Sequence, residues 1–214
     1  MSGDVIRILL ADDHEVVRSG LRRMFEREPG FEIVAEADSG EEAYRRLAAL
    51  NVDVAVIDLS MPGMGGIEAI RRIRARRPEV KILVFSIHES AGFAQRALGA
   101  GAEGYLTKTS PASAMIEAVR AVAEGRHWLA REVAQNLALQ SLGQQGNPMS
   151  ELTAREFEVL RLFAFGRQPE EIAVALHLSA KTVANHLSII KQKVGVRSSA
   201  ELMRRALAWD LVSD

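Results

Sequence analysis

Five residues whose side chains can take part in phosphoryl or metal chemistry directly follow short apolar runs in the first half of the chain. They carry carboxylate, hydroxyl or amine groups, and in chain order they are Asp12, Asp13, Asp58, Ser86 and Lys108. The run at residues 52–57, just before Asp58, is rich in β-branched and small apolar residues and is typical of a strand buried on both faces of a parallel sheet. Parallel strands bring their carboxyl ends to one edge, so we expect these side chains to converge.

Such a convergence predicts a site for Mg²⁺ and a phosphoryl group. Three carboxylates close together repel one another unless a cation binds between them, and oxygen ligands favour Mg²⁺. A carboxylate at a sheet edge can attack a phosphoryl group to give an aspartyl phosphate. The Lys108 ammonium and the Ser86 hydroxyl can stabilise the developing charge. Taken alone, each residue is better explained by an ordinary turn or ion pair; their shared position at strand ends favours a site.

The elements that must position these residues are five repeats of a strand and a helix. The predicted strands are 5–10, 31–37, 52–58, 81–85 and 103–106. This alternation predicts a parallel α/β sheet with helices on both faces. The turn at residues 11–14 is acidic and lacks the glycines of a dinucleotide-binding loop. Side chains that can cap helices are predicted at Ser39, Ser110, Thr153, Ser179 and Ser198.

The composition is that of an ordinary globular protein and excludes several kinds of site. The 214 residues carry a net charge of −1 and no cysteine, which excludes disulfides, zinc–thiolate sites and thiol catalysis. No apolar stretch approaches the roughly 20 residues that a membrane span needs. A strand pattern begins within the first few residues. We therefore expect no signal peptide, no membrane partner and a cytoplasmic location.

The second half of the chain predicts a linker followed by a small helical domain. Residues 131–142 are predicted to form one helix, and residues 143–148 lack apolar periodicity and are typical of a linker. Four short helices are then predicted over 153–165, 169–177, 179–194 and 198–209. We expect three parts, which are an α/β domain at 1–127, a partly helical linker at 128–149 and an all-α domain at 150–214.

The predicted helix 179–194 combines a buried stripe with a basic surface. Apolar residues recur at helical spacing at Val183, Leu187, Ile190 and Val194. Residues 179–197 contain four basic residues and no acidic one, whereas the domain from residue 150 on contains nine basic and eight acidic residues. Positive charge is thus concentrated on a helix that follows a short helix and a turn, as in a helix-turn-helix. On charge alone, a helical bundle with a basic face is an equal alternative.

The acidic residues and their neighbours resemble the receiver domain of bacterial response regulators. The resemblance covers residues 4 to about 126 and rests on the order and spacing of Asp12-Asp13, Asp58 with Met61-Pro62, Ser86, Tyr105 and Lys108. It implies a five-stranded, parallel, flavodoxin-like fold in which a sensor histidine kinase phosphorylates Asp58.

The same resemblance implies roles for the other residues of the site. Mg²⁺ would be held by Asp12, Asp13, Asp58 and the main-chain carbonyl of Ser60. Ser86 and Lys108 would bind the phosphoryl oxygens. Tyr105 would be the aromatic residue that rotates as Ser86 moves toward the phosphoryl group. By the same resemblance, His88 and Ser60 would occupy positions that tune the rate of phosphate loss.

The C-terminal residues resemble the LuxR-type helix-turn-helix. The matching segments are 152–156, 171–173, 178–183, 185–186 and 193–196. Joined to a receiver, this domain makes the chain resemble a NarL/FixJ-family response regulator. The resemblance implies a dimer helix at 198–209 and a homodimer when phosphorylated. It also implies that double-stranded promoter DNA is contacted by Lys181, Thr182, Val183, Ala184, Asn185, His186, Ser188, Lys191 and Lys193.

Two departures from this family pattern remove positive charge near the DNA. Many relatives have a lysine where this chain has Ala184, and the start of the second helix, residues 168–171, is acidic rather than basic. Each lost phosphate contact shallows the slope of log Kobs against log salt by about 0.9. We therefore expect weaker and more dimer-dependent DNA binding than in a typical member.

These patterns predict a transcriptional regulator rather than an enzyme. The main alternative is an aspartate-nucleophile Mg²⁺ phosphatase. Such enzymes need a second acid two residues after a nucleophile on the first strand, whereas Asp58 follows the third strand and position 60 is Ser60. A binding module that works without phosphate is the other alternative, and the complete acidic site disfavours it.

Overall fold

The sequence folds into a parallel α/β domain followed by a helical domain. The computed structural model describes residues 5–142, 152–209 and 211. The strands are β1 (Ile6–Ala11), β2 (Phe31–Ala37), β3 (Val54–Ile57), β4 (Lys81–Ser86), β5 (Gly104–Thr107) and β6 (Trp128–Leu129). All neighbouring strands pair in parallel, in the order β2-β1-β3-β4-β5-β6. The predicted parallel α/β fold is therefore confirmed.

Five helices cover the two faces of the sheet. They are α1 (Glu15–Phe25), α2 (Gly40–Ala49), α3 (Gly66–Arg76), α4 (Ala91–Ala100) and α5 (Ala112–Ala123). Every residue of β3 is buried, because both faces are covered and side chains alternate between them. β1 and β3 are neighbours although β2 lies between them in the chain. At such a reversal of strand order the strand ends open a crevice, which here lies next to Asp12 and Asp58.

In the described residues the sheet has six strands, whereas the sequence predicts five. The sixth, β6, pairs with β5 at the edge of the sheet. A strand of two residues is too short to give a recognisable alternation of side chains, which is why none is predicted there. The following helix, α6 (Arg131–Leu142), packs on α4, and the Asn136 side-chain amide donates to the Glu89 carbonyl oxygen at 3.0 Å. Residues 128–142 thus pack on the α/β domain, and the predicted linker at 143–148 lies outside the described residues.

Most of the predicted helix starts are confirmed by their capping contacts. The N-cap side chain accepts a hydrogen bond from the backbone N–H three residues later at Ser39, Thr153, Ser179 and Ser198. The prediction for Ser110 is wrong, because Pro111 is the N-cap of α5. The Ser110 hydroxyl instead lies 2.9 Å from the Thr107 hydroxyl, so it stabilises the turn after β5 rather than the helix.

Four short helices make up the described part of the C-terminal domain. They are α7 (Ala154–Ala164), α8 (Pro169–Ala175), α9 (Ala180–Val194) and α10 (Ser199–Ala208). The apolar stripe of α9 is buried, and α9 packs on both α7 and α8. α7 also packs on α3 of the α/β domain. Within the described ranges, no helix has the combined length and apolar character that crossing a bilayer requires.

Candidate functional site

Four strand ends bring the predicted acidic, hydroxyl and amine residues together at one edge of the sheet. Asp12 follows β1 and Asp58 follows β3, and only 3% and 2% of their surfaces are exposed. The Lys108 ammonium, just after β5, lies 2.6 Å from Asp12 Oδ2 and 3.0 Å from Asp58 Oδ2. Ser86, the last residue of β4, is fully buried. Asp13 lies at the more exposed rim of this pocket.

Backbone hydrogen bonds of the sheet fix the positions of these residues. The Asp58 N–H donates to the Ala11 carbonyl oxygen at 2.8 Å, and the Lys108 N–H donates to the Ser86 carbonyl oxygen at 2.8 Å. The hydrogen-bond ladder therefore continues one residue beyond β3 and β5. The Ser60 N–H donates to Asp58 Oδ1 at 3.2 Å and orients the carboxylate. The pocket is thus held by the sheet itself rather than by a long loop.

Burial and neighbouring charges control the ionisation of the pocket. Burial raises the pKa of the Asp58 carboxyl, and the negative charge of Asp12 raises it further. The Lys108 ammonium lowers this pKa, but the net effect is a rise. Burial alone would lower the pKa of Lys108, but the carboxylates of Asp58 and Asp12 outweigh it and raise that pKa. Lys108 therefore keeps its positive charge between the two carboxylates.

The acidic side chains form a group with the dimensions of a divalent-cation site. Four residues each offer one ligand atom, and these atoms all lie within 4.8 Å of one another. The residues are Asp12, Asp13, His14 and Asp58. His14 is not one of the predicted ligands. Its Nδ1 lies 3.2 Å from Asp12 Oδ1 and 2.9 Å from Asp13 Oδ1. Three carboxylates supply the oxygen donors that Mg²⁺ prefers, so the donor set fits this ion.

The predicted switch residues Ser86 and Tyr105 meet at the backbone of one buried histidine. The His88 N–H donates to Ser86 Oγ at 3.3 Å, and the Tyr105 hydroxyl donates to the His88 carbonyl oxygen at 2.8 Å. His88 Nε2 lies 3.2 Å from Ser60 Oγ. Only 1% of the His88 surface is exposed, and burial lowers its pKa to about 4. The imidazole is therefore neutral near pH 7.

The outward face of α9 carries many of the residues that are predicted to lie at the DNA. The exposed side chains on this face are Lys181, Ala184, Asn185 and Ser188. Thr182 is half-buried, and its hydroxyl lies 2.7 Å from the Ser179 hydroxyl. His186 and Lys191 are also half-buried. Of the basic residues of α9, Lys181 is exposed, whereas Lys191 and Lys193 are half-buried.

Two residues predicted at the DNA are engaged inside the helical domain. Val183 is fully buried, because it belongs to the apolar stripe of α9 that packs into the core. Val183 therefore has no exposed side-chain surface for the DNA contact that the family resemblance implies. Lys193 Nζ lies 2.7 Å from Glu156 Oε2 of α7, and Glu156 is buried. The Lys193 ammonium therefore pairs with a buried carboxylate, and its position at the DNA stays a prediction.

A further cation, the Arg161 guanidinium, lies near the pocket, and the sequence alone does not indicate it. Arg161 of α7 lies close enough to Glu158, Asp58 and Asp13 for its charge to interact with theirs. Burial lowers the pKa of Arg161, and these carboxylates act in the opposite direction. The position of Arg161 depends on how the helical domain packs on the α/β domain. Within the predicted helix 153–165, it has the pattern of any surface arginine.

Comparison with known proteins identifies both domains. Residues 8–120 match the response regulator receiver domain, and residues 150–206 match the bacterial regulatory proteins of the luxR family. Response regulator GacA from Pseudomonas viridiflava is 36% identical to this chain over 210 residues, which cover 97% of this chain and 98% of GacA. The chain is a NarL/FixJ-family response regulator. Members of this family are DNA-binding transcriptional regulators and not enzymes, and receiver domains bind Mg²⁺ at an acidic pocket.

Solved structures similar to this response regulator include RcsB from Salmonella. RcsB bound to promoter P1flhDC in the presence of phosphomimetic BeF3− has a TM-score of 0.71 and 29% identity, covering 94% of this chain and 98% of RcsB. A structure of two RcsB dimers bound to two parallel DNAs has a TM-score of 0.61 and 27% identity, covering 94% and 97%. The predicted architecture of receiver and helix-turn-helix domain is confirmed.

Proposed function

We propose that a sensor histidine kinase phosphorylates this response regulator on Asp58. The observation that carries the proposal is the Lys108 ammonium, which lies within 3.0 Å of carboxylate oxygens of both Asp58 and Asp12. A cation at that position can stabilise the charge that develops on a transferred phosphoryl group. Ser86 can bind the phosphoryl group only in the phosphorylated state, and such a differential contact biases a two-state equilibrium. Tyr105 would respond to the movement of Ser86.

The proposed cofactor is Mg²⁺. Its ligands would be Asp12, Asp13, Asp58 and the main-chain carbonyl of Ser60. An all-oxygen donor set suits Mg²⁺ better than a set that includes imidazole, so His14 would remain a hydrogen-bond partner of Asp12 and Asp13. Bound there, Mg²⁺ supplies positive charge to the carboxylates and to the phosphoryl oxygens.

The phosphorylated protein would bind promoter DNA as a homodimer. The support for DNA binding is the exposed face of α9, where Lys181, Asn185 and Ser188 are free of the core. The support for a dimer is α10, which leaves 53% of Leu207 exposed, since an exposed leucine can pack against a second copy. A phosphodonor kinase and DNA as partners favour a cytoplasmic location.

Two family matches, at residues 8–120 and 150–206, support the proposed division into domains. The receiver would span 1–127, the connecting segment 128–149 and the DNA-binding domain 150–214. Because β6 and α6 pack on the sheet domain, the first part of the connecting segment would move with the receiver.

Phosphorylation by acetyl phosphate in the presence of Mg²⁺, followed by intact mass spectrometry, tests the proposal. We expect the wild type to gain one phosphoryl group and Asp58→Ala to gain none. Asp38→Ala is the matched control, because Asp38 is an exposed aspartate outside the pocket, and it should behave as the wild type. No adduct on the wild type, or an equal adduct on Asp58→Ala, would contradict the proposal.

A further inference from the structure

The DNA-binding domain contacts the receiver through an aromatic residue of α7. The ring of Phe157 meets the ring of Phe93 of α4 edge to face, with centroids 4.8 Å apart and planes at 81°. The Arg96 guanidinium covers the same Phe157 ring at 4.4 Å from its centroid. One residue along α7, the Glu158 carboxylate lies directly against the backbone of Gly65, where a β-carbon would clash. α7 therefore docks beside the loop that leads away from Asp58.

Phe93 continues this contact toward the phosphoacceptor pocket. Its ring stacks on the ring of His88, with centroids 3.8 Å apart and planes 3° apart. His88 in turn places Nε2 3.2 Å from Ser60 Oγ, and its backbone bonds to both proposed switch residues. A continuous series of packed groups thus joins Phe157 of the DNA-binding domain to the pocket.

We propose that His88 is a positioning residue of the phosphoacceptor site, and that the docked DNA-binding domain holds it in the unphosphorylated arrangement through Phe93 and Phe157. This inference rests on the proposed role of Asp58 as phosphoacceptor. To turn its hydroxyl toward a phosphoryl group, Ser86 gives up the hydrogen bond from the His88 N–H. Since the His88 ring is stacked on Phe93, its backbone cannot follow Ser86 without disturbing the contact with α7.

Docking of α7 and phosphorylation are then linked in both directions. If a phosphoryl group on Asp58 weakens the docking of α7 on the receiver, then release of α7 must favour the phosphoryl group on Asp58 by the same factor. The docked arrangement leaves Lys181 and Asn185 of α9 exposed. The contact therefore acts on the switch residues of the receiver, and it does not work by covering the face of α9 that is proposed to meet DNA.

The first test measures the affinity of full-length variants for beryllofluoride by isothermal titration calorimetry. Phe157→Leu and Phe93→Leu keep a branched apolar side chain at each position but remove the contact between the rings. We expect each to bind beryllofluoride about fivefold more tightly than the wild type, the factor that the loss of one aromatic pair gives. Phe165→Leu is the control, because Phe165 is exposed at the end of α7, and its affinity should be unchanged. Wild-type affinity in both interface variants would overturn the proposal.

A double variant tests His88 itself. His88→Gln keeps a polar group near Ser60 and removes the stacking on Phe93. If one series of contacts carries the coupling, His88→Gln combined with Phe157→Leu should bind beryllofluoride no more tightly than the tighter single variant. Fully additive effects would overturn the role of His88, since they would mean that Phe157 acts by another route.

Small-angle X-ray scattering without any phosphoryl analogue separates this proposal from the proposed function. Phe157→Leu, Phe93→Leu and His88→Gln should each have a larger radius of gyration than the wild type and Phe165→Leu. Unchanged radii in all three would overturn the docking contact, even if acetyl phosphate labels Asp58. Larger radii in a protein whose wild type binds no beryllofluoride would support the docking contact and overturn the role of Asp58.

Discussion

The phosphoacceptor pocket and the outward face of α9 are built in opposite ways. In the pocket, Asp12 and Asp58 are buried and share the Lys108 ammonium at 2.6 and 3.0 Å. On α9, Lys181 and Asn185 are exposed to solvent. The two buried carboxylates of the pocket therefore share a cation within the fold, whereas these polar side chains of α9 face solvent.

This difference determines how each region responds to the loss of a charge. Removing one member of a buried set of charges leaves another buried charge without its partner, and this strongly destabilises the folded protein. Removing an exposed charge costs little in the free protein and changes chiefly the electrostatic attraction to DNA. The pocket should thus respond in phosphorylation and stability, and α9 in the salt dependence of DNA binding.

The largest effect is expected for Lys108→Gln. This change removes the cation that faces Asp58, so the rate of phosphorylation by acetyl phosphate should fall about a thousandfold, the upper value for the loss of one donor to a developing oxyanion. Lys81→Gln is the matched control, because Lys81 lies at the opposite end of β4 and pairs with Glu103. Labelling is followed by intact mass against time. A rate near that of the wild type for Lys108→Gln would contradict the described pocket.

The second-largest effect is expected in the pH dependence of folding stability, to which His88 contributes. Because burial lowers the pKa of His88 from 6.5 to about 4, the unfolded chain binds more protons than the folded chain between these two values. Stability should therefore fall as pH drops from 6.5 to 4, by about 3 kcal/mol from this residue. Urea denaturation at a series of pH values measures this loss.

His88→Gln should lose less stability over that interval than the wild type, because glutamine does not titrate. His127→Gln is the control for removal of an exposed histidine, and its curve should follow the wild type. If the wild type and His88→Gln lost stability in parallel, His88 would not be the buried neutral group described.

The smallest effect is expected on the face of α9. Lys181→Gln should shallow the slope of log Kobs for DNA against log salt by about 0.9, and Ala184→Lys should steepen it by a similar amount. Lys193→Gln should leave the slope unchanged, because Lys193 is paired with buried Glu156, and should instead lower the stability of the helical domain. Binding isotherms at several salt concentrations measure these slopes. A shallower slope for Lys193→Gln would contradict its assignment to the core.

The same contrast explains what the sequence can predict. Asp58 and Lys108 are predictable as neighbours, because the ends of parallel strands must meet at one edge whatever the loops do. The role of Lys193 cannot be predicted in this way, because its partner Glu156 is 37 residues away on another helix. For Val183, helical periodicity predicts the buried position, and the family resemblance alone suggests a DNA contact.

Contacts that form only when domains pack lie beyond any local pattern. Phe93 and Phe157 each belong to the apolar side of a short helix, and neither helix indicates that the other is its partner. His88 gains its neighbours from Ser60, Ser86 and α4, which converge only in the folded receiver. The sequence therefore predicts the chemistry of the pocket but not the route by which the pocket contacts the DNA-binding domain.

The most direct test of the central claim is the effect of Asp58 occupancy on DNA binding. Binding isotherms of the full chain would use a duplex selected from a random library by the beryllofluoride-treated protein. We predict that beryllofluoride lowers the Kd of the wild type roughly tenfold and leaves the Kd of Asp58→Ala unchanged. An equal Kd with and without beryllofluoride in the wild type, or the same gain in Asp58→Ala, would contradict the claim that this pocket controls α9.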